Sequence, residues 1–144
     1  MSKELIGIAV DHGGVVLRQP IVDEIHALGF AVLDLGTHDT GPVDYPDMAD
    51  ILIAAFEDRR IRRGVLACGT GIGISIAANR HPGIRAALCY DDETAALARQ
   101  HNDANILCMG GRKTDPDRAR GMARIFLGTG FEAGRHARRV GKLG

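Results

Sequence analysis

Gly64-Val-Leu-Ala-Cys68-Gly-Thr-Gly-Ile-Gly-Ile-Ser75 is the stretch on which the fold turns. Residues 64–67 are apolar without the polar alternation of a half-exposed strand. They read as a strand buried on both faces. Cys68 and the alternating glycines Gly69, Gly71 and Gly73 then turn the chain into a helix that runs to about Asn79. A buried strand, a tight glycine loop and a helix form the first half of a βαβ unit.

The same pattern repeats on both sides of this segment. Upstream, Ile6-Gly-Ile-Ala-Val10 reads as a strand that ends in Asp11-His12-Gly13-Gly14. A helix follows with Ile21, Val22, Ile25 and Leu28 on its apolar face, Pro20 in its first turn and Gly29 as its stop. Residues 30–33 read as a second strand and 36–46 as a polar loop. A helix over 46–58 buries Met48, Ile51, Leu52 and Ala55. Downstream, strands are expected over 84–88 and 104–108, the latter ending in Met109-Gly-Gly-Arg112. Asp91 or Asp92 caps the intervening helix, which reaches His101. Asp115-Pro116 starts another helix, whose apolar face is Ala119, Met122, Ala123, Phe126 and Leu127. A basic helix is expected over 134–142. Five strands alternating with helices imply an α/β, three-layer architecture: one parallel sheet covered on both faces. Such sheets bind ligands beyond the carboxyl ends of their strands, where the strand order reverses. Asp11-His12, Cys68-Gly69-Thr70 and Arg112 all fall at those ends.

At 144 residues the chain suits a single domain over 1–144. Eighteen basic and eighteen acidic side chains cancel, so general nucleic-acid or membrane binding finds no support in the charge. Aromatic residues are 4% and Trp is absent, which disfavours a base-stacking surface. The three cysteines have no CxxC spacing, and no His pair stands at metal-ligand spacing, so neither a metal nor a disulfide framework is expected. Reduced thiols and the lack of a signal pattern or a spanning apolar run point to the cytoplasm.

The glycine loop can converge backbone N–H groups on an anion at a helix N-terminus, or it can be merely a tight turn. Three alternating glycines favour the anion. A Walker loop would need GK[ST], and the dinucleotide fingerprint needs G-x-G-x-x-G; the spacing here is G-x-G-x-G. A C-x5-R phosphatase loop would need arginine around Ile74 and Ser75. Cys68, at the mouth of the loop, feels the amides and the helix dipole, which favour a thiolate acting as base or nucleophile. The alternative is a small buried hydrophobe, and that reading is given to Cys89 and Cys108. His101, at a helix C-terminus, suits a proton donor or is a capping residue. Arg135 and Arg139, four apart, share a helix face that is either a phosphate clamp or a solvated tail. His38, His81 and His136 are expected on the surface.

Val10-Asp-His-Gly13, the run from Cys68 to Asn79, Gly83-Ile-Arg-Ala86, Arg99-Gln-His-Asn-Asp103 and Gly134-Arg-His-Ala-Arg-Arg139 together closely resemble ribose-5-phosphate isomerase type B. The wider family includes allose-6-phosphate and galactose-6-phosphate isomerase subunits. The resemblance spans nearly the whole chain. It implies a Rossmann-like α/β/α sandwich with a five-stranded parallel sheet, and a homodimer with active sites at the subunit interface. It implies Cys68 as the base that moves a proton between C1 and C2, and His101 as the acid for ring opening with Thr70 assisting. Asp11 and His12 would contact the substrate. Gly69, Thr70, Gly71, Ile72 and Gly73 would form the anion hole, joined by Asn102. Arg112, Arg135 and Arg139 would hold the phosphate, some from the partner subunit. One branch of the family uses a glutamate in the loop as base. Ile74 stands at that position, which assigns this chain to the cysteine branch.

Aldose–ketose isomerisation needs one base, one proton donor and stabilisation of an enediolate, with no cofactor. Two other readings compete with the pentose phosphate. One is the same chemistry on allose 6-phosphate, galactose 6-phosphate or a tetrulose phosphate. The other is a non-catalytic phosphate-binding module, which would not require Cys68 or His101. Whether dimers pair into tetramers, and which pathway the reaction serves, are left open by the sequence.

Overall fold

The computed structural model describes residues 2–144. Its elements run β1 (Leu5–Val10), α1 (Val15–Ala27), β2 (Ala31–Gly36), α2 (Tyr45–Glu57), β3 (Gly64–Cys68), α3 (Ile72–Asn79), β4 (Ala86–Leu88), α4 (Asp92–Asn102), β5 (Ile106–Gly110), α5 (Pro116–Gly128) and α6 (Arg135–Gly141). All strand pairs are parallel, in the order β2-β1-β3-β5-β4. The expected three-layer α/β sandwich is what forms.

Two apolar clusters cover the two faces of the sheet. On one, Ile8, Val10, Val65 and Leu107 meet Leu17, Ile21 and Ile25 of α1 and Met122 and Phe126 of α5. On the other, Ala9, Leu66, Ile106 and Cys108 meet Leu52 and Ile53 of α2 and Ile74 and Ala78 of α3. The uninterrupted apolar strands thus match burial on both faces. Among the described residues no helix is long and apolar enough to cross a membrane.

Several local expectations change. Pro20 lies inside α1, beyond its first turn, because the helix begins already at Val15, directly after a turn closed on Asp11. Leu28 is the C-cap and is 36% exposed, so it is not a core residue. In α2 the buried stripe is Met48, Ala49, Leu52 and Ile53, and Ile51 is 41% exposed. A residue one step before the 3.6-residue stripe points outward. The strand expected over 30–33 is Ala31–Gly36, its register with β1 running on to Val10↔Gly36. Strand β4 is shortened and β5 shifted by Asn105. Its side chain accepts from Arg85 N–H at 2.8 Å and donates to the Gly83 carbonyl at 2.9 Å, diverting that segment from the ladder. Asp91 and Asp115 cap α4 and α5, and the apolar face from Ala119 to Leu127 is buried throughout.

The strand order reverses between β1 and β3. Strand β1 continues to β2 on one side, and β3 leads to β5 and β4 on the other. Asp11 follows β1, Cys68 ends β3, and the Asp11 N–H donates to the Ala67 carbonyl at 3.0 Å. The switch point is therefore bracketed by the residues singled out for chemistry.

Candidate active site

A cleft of about 610 Å³ opens at the switch point, lined by Asp11, His12, Gly13, Val43–Asp47, Cys68, Gly69, Thr70, Gly73 and Arg112. Its floor is the glycine loop. Gly71 is the N-cap of α3 with φ +84°, a left-handed conformation that a side chain would strain. A Cβ there would also lie 2.8 Å from the Met109 carbonyl carbon of the neighbouring strand. This turn aims the Gly71 N–H at Cys68, whose Sγ accepts it at 3.1 Å. The sulfur is nearly buried, at 4% exposure for the residue, yet it lines the cleft and does not point away from the loop. Ile72 N–H donates to Thr70 Oγ1 at 3.2 Å. Among the described residues the N–H groups of Gly69, Thr70 and Gly73 donate to no protein atom, so they remain free for an anion.

Asp11 is 5% exposed, and its Oδ1 accepts from Gly13 N–H at 2.8 Å and Gly14 N–H at 3.1 Å. These bonds fix the carboxylate against the cleft wall. His12 Nδ1 accepts from Val43 N–H at 3.1 Å. An amide N–H can only donate, so the proton of the neutral ring sits on Nε2. Arg112 makes no ion pair among the described residues, and the Cζ of its guanidinium would lie 3.3 Å from a Cβ on Gly69. It is a free cation set over the loop.

Cys68 differs from the other two thiols. Burial pushes the Cys89 thiol up to about 11. Complete burial drives Cys108 far above the ordinary range, with Cys89 and Cys68 adding to it. Neither lines the cleft. The buried-hydrophobe reading of both is consistent with these positions.

The remaining residues named from the sequence are not in this cleft. Helix α4 starts at the carboxyl edge of the sheet and runs back to the start of β5, so His101 and Asn102 at its end lie at the opposite edge. Asn102 lines a groove along β4 with Asn79 and Leu143. His101 stacks on His136 of α6, with centroids 4.3 Å apart and planes 13° apart. His136 is therefore not the surface residue expected: its side chain is 12% exposed. Arg135 and Arg139 stand on α6, exposed and without ion pairs among the described residues. One chain thus carries two separate groups of candidates: thiol, loop, Asp11, His12 and Arg112 at one edge, and His101, Asn102, Arg135 and Arg139 at the other.

Sequence reading missed Tyr45. It begins α2, and a Cβ on Gly73 would lie 2.6 Å from its ring, so Gly73 is small partly to seat the tyrosine over the loop. The Asp44-Tyr-Pro-Asp47 run carries a signal, a Pro in the first helical turn after an Asp, but that signal marks a helix start and not a contact with the loop.

Fold and cleft together define an α/β protein that presents unpaired backbone amides beside a thiol at the switch point of its sheet. The chain belongs to the Ribose/Galactose Isomerase family, whose model matches residues 6–143. It is similar to type B ribose 5-phosphate isomerase of Trypanosoma brucei, with 42% identity, coverage of 99% of this chain and 97% of that one, and a TM-score of 0.94. The Clostridium thermocellum ribose-5-phosphate isomerase B structure is 47% identical, covering 97% of this chain and 95% of that one, with a TM-score of 0.94. Ribose-5-phosphate isomerase B of Escherichia coli is 41% identical over 135 residues, 94% of this chain and 91% of that protein.

Proposed function

We propose that the chain interconverts ribose 5-phosphate and ribulose 5-phosphate through a cis-enediolate. The observation that carries this reading is the Cys68 sulfur beside unpaired loop amides, in a chain of an isomerase family whose relatives bear that name. As thiolate, Cys68 takes the proton from C2 of the open-chain aldose. The C–H electron pair becomes the C1–C2 double bond, and charge passes to the former carbonyl oxygen. The free N–H groups of Gly69, Thr70 and Gly73 stabilise that oxygen, while Gly71 and Ile72 shape the loop through their bonds to Cys68 and Thr70. The thiol returns the proton to C1 as the C2 hydroxyl gives up its own proton, with Thr70 assisting its passage to the C1 oxygen, and the C2 oxygen becomes the carbonyl. Only protons move and the sugar is neither oxidised nor reduced overall, so no redox cofactor is required.

Asp11 and His12 contact the sugar hydroxyls. His101 opens the ring, Asn102 joins the anion hole, and Arg112, Arg135 and Arg139 hold the phosphate. His101, Asn102 and the two α6 arginines reach a cleft only from a second subunit, which makes the working unit a homodimer. Two observations support this: their position at the edge of the sheet opposite the thiol, and the pair Ile72 and Ile76, exposed by 48% and 56% on one face of α3 next to the loop. Three free cysteines suit the reducing cytoplasm.

The test is incubation of ribose 5-phosphate with the protein in heavy water. Ribulose 5-phosphate should form, deuterium should enter at the exchanging carbon, and free ribose should stay unconverted. Absence of both product and exchange overturns the reading. Faster turnover of phosphorylated four- or six-carbon aldoses would reassign the substrate and leave the chemistry intact.

A further inference from the structure

The peptide joining Thr70 to Gly71 is held at both of its polar ends. Its N–H, on Gly71, donates to Cys68 Sγ at 3.1 Å. Its carbonyl, on Thr70, accepts the phenolic hydroxyl of Tyr90 at 3.0 Å. In a trans peptide the two groups point in opposite directions, so the tyrosine and the sulfur grip opposite edges of one rigid plane. Gly71 alone does not fix that plane. A peptide flip would turn its N–H away from the sulfur and exchange the φ of +84° for a negative one, and glycine accepts both signs. We propose that Tyr90 is a positioning residue for the thiol: its hydroxyl locks the Thr70–Gly71 peptide in the orientation that keeps the Gly71 N–H on Cys68.

The fold sets Tyr90 for this task. It stands two residues beyond β4, where the Cys89 N–H still donates to the Cys108 carbonyl at 3.0 Å. On its other side Asp91 forms the capping box of α4 with Thr94. Arg118 Nη1 of α5 donates to the Tyr90 carbonyl at 3.4 Å. The backbone is thus pinned on both sides, and the ring reaches the loop 20 residues back in sequence. Gly110 forms the wall behind the peptide: an added Cβ there would overlap the Thr70 carbonyl group. Tyr90 does not line the cleft, so it acts on the sulfur through the peptide and not by touching the substrate. A hydrogen bond on the carbonyl polarises the N–H of the same peptide and strengthens its bond to sulfur by about 10–30%. A hydrogen bond to the charged form of an acid favours that form, so removing the hydroxyl moves thiolate formation at Cys68 to higher pH. Asp11 and His12 after β1, Asp44, Tyr45 and Asp47 at the start of α2, and Cys108 and Arg112 on and after β5 are the other titratable and charged groups around the sulfur. Tyr90→Phe leaves all of them in place.

Alkylation of Cys68 by iodoacetamide as a function of pH, read by peptide mapping on the full chain, tests the lock without substrate. In Tyr90→Phe the labelling rate near neutral pH should fall about three- to tenfold. The rise of labelling with pH should move up by about half a unit to one unit, the same factor on a logarithmic scale. Tyr90→Ala should give the same shift, since the hydroxyl and not the ring is the lock. Tyr90 is 42% exposed, so both changes spare the core. An unmoved labelling profile in Tyr90→Phe overturns the lock, and so does a shift in Tyr90→Ala that Tyr90→Phe lacks. The consequence for turnover rests on the role proposed for Cys68: kcat for ribose 5-phosphate should fall by a similar factor in Tyr90→Phe, with KM little changed. A wild type that labels as expected but does not isomerise refutes the isomerase reading and leaves the tyrosine lock standing.

Discussion

Gly71→Ala and Gly83→Ala form a matched pair. Both glycines have positive φ, +84° and +79°. An alanine in the left-handed region costs about 1–2 kcal/mol at either position. Gly83 has nothing within 4 Å of an added Cβ, so that backbone term is its whole cost. At Gly71 the same carbon meets Leu88 Cδ1 at 2.6 Å and the Met109 carbonyl carbon at 2.8 Å. The leucine can rotate away, but the strand backbone cannot. The loop must shift, carrying off the N–H that reaches Cys68 and reorienting its neighbours. Loss of one oxyanion donor among those neighbours is worth roughly 3–4 kcal/mol of transition-state stabilisation, or about two to three decades. We expect both variants to melt lower, Gly71→Ala more so. kcat/KM for ribose 5-phosphate should fall about a hundredfold or more in Gly71→Ala and hold near wild type in Gly83→Ala. Equal kcat/KM in the two variants would refute the assignment of the loop as the oxyanion platform.

Cys68→Ala should lower kcat by about two to four decades while ribose 5-phosphate, followed by calorimetry, binds with little change; robust residual turnover would remove Cys68 as base. Iodoacetamide near neutral pH should alkylate Cys68 alone in the folded protein, since Cys68 lines the cleft while burial pushes the Cys89 thiol up to about 11 and holds Cys108 well above its ordinary range; peptide mapping reads the pattern, and substrate should slow the labelling. The Asp91 carboxyl is held below its usual range, first by the backbone N–H of Thr94 and then by the Thr94 hydroxyl. A depressed carboxylate stabilises the fold above its unfolded value near ~3.9 and loses that contribution as pH falls through the folded value. Thermal melts should therefore show Thr94→Val below wild type at neutral pH, with the gap closing in strong acid.

Local features were legible in the sequence. The loop from Cys68 to Gly73 needs positive φ and close backbone approach, and these are properties of glycine itself. Asp115-Pro116 announced a helix start for the same reason. Expectations failed where a distant partner decides. Asn105 captures the segment before β4, which the apolar pattern alone would extend. Ile51 and Ile53 are equally apolar, and only the packing of α2 against the sheet chooses between them. The glycine end of the site was visible because strand ends and loop are contiguous. The stacking of His101 on His136, and the seat of Tyr45 over Gly73, exist only once the helices have packed.

The separation of thiol and imidazole to opposite edges of one sheet has an operational meaning. A pairing of Cys68→Ala with His101→Ala, each inert by itself, would reunite one undamaged set of groups at one of its two clefts. Mixing the dead variants should therefore restore activity on subunit exchange, and dilution below the association threshold should extinguish it. Catalysis would then report concentration: a polypeptide with half a site at each end works only in company.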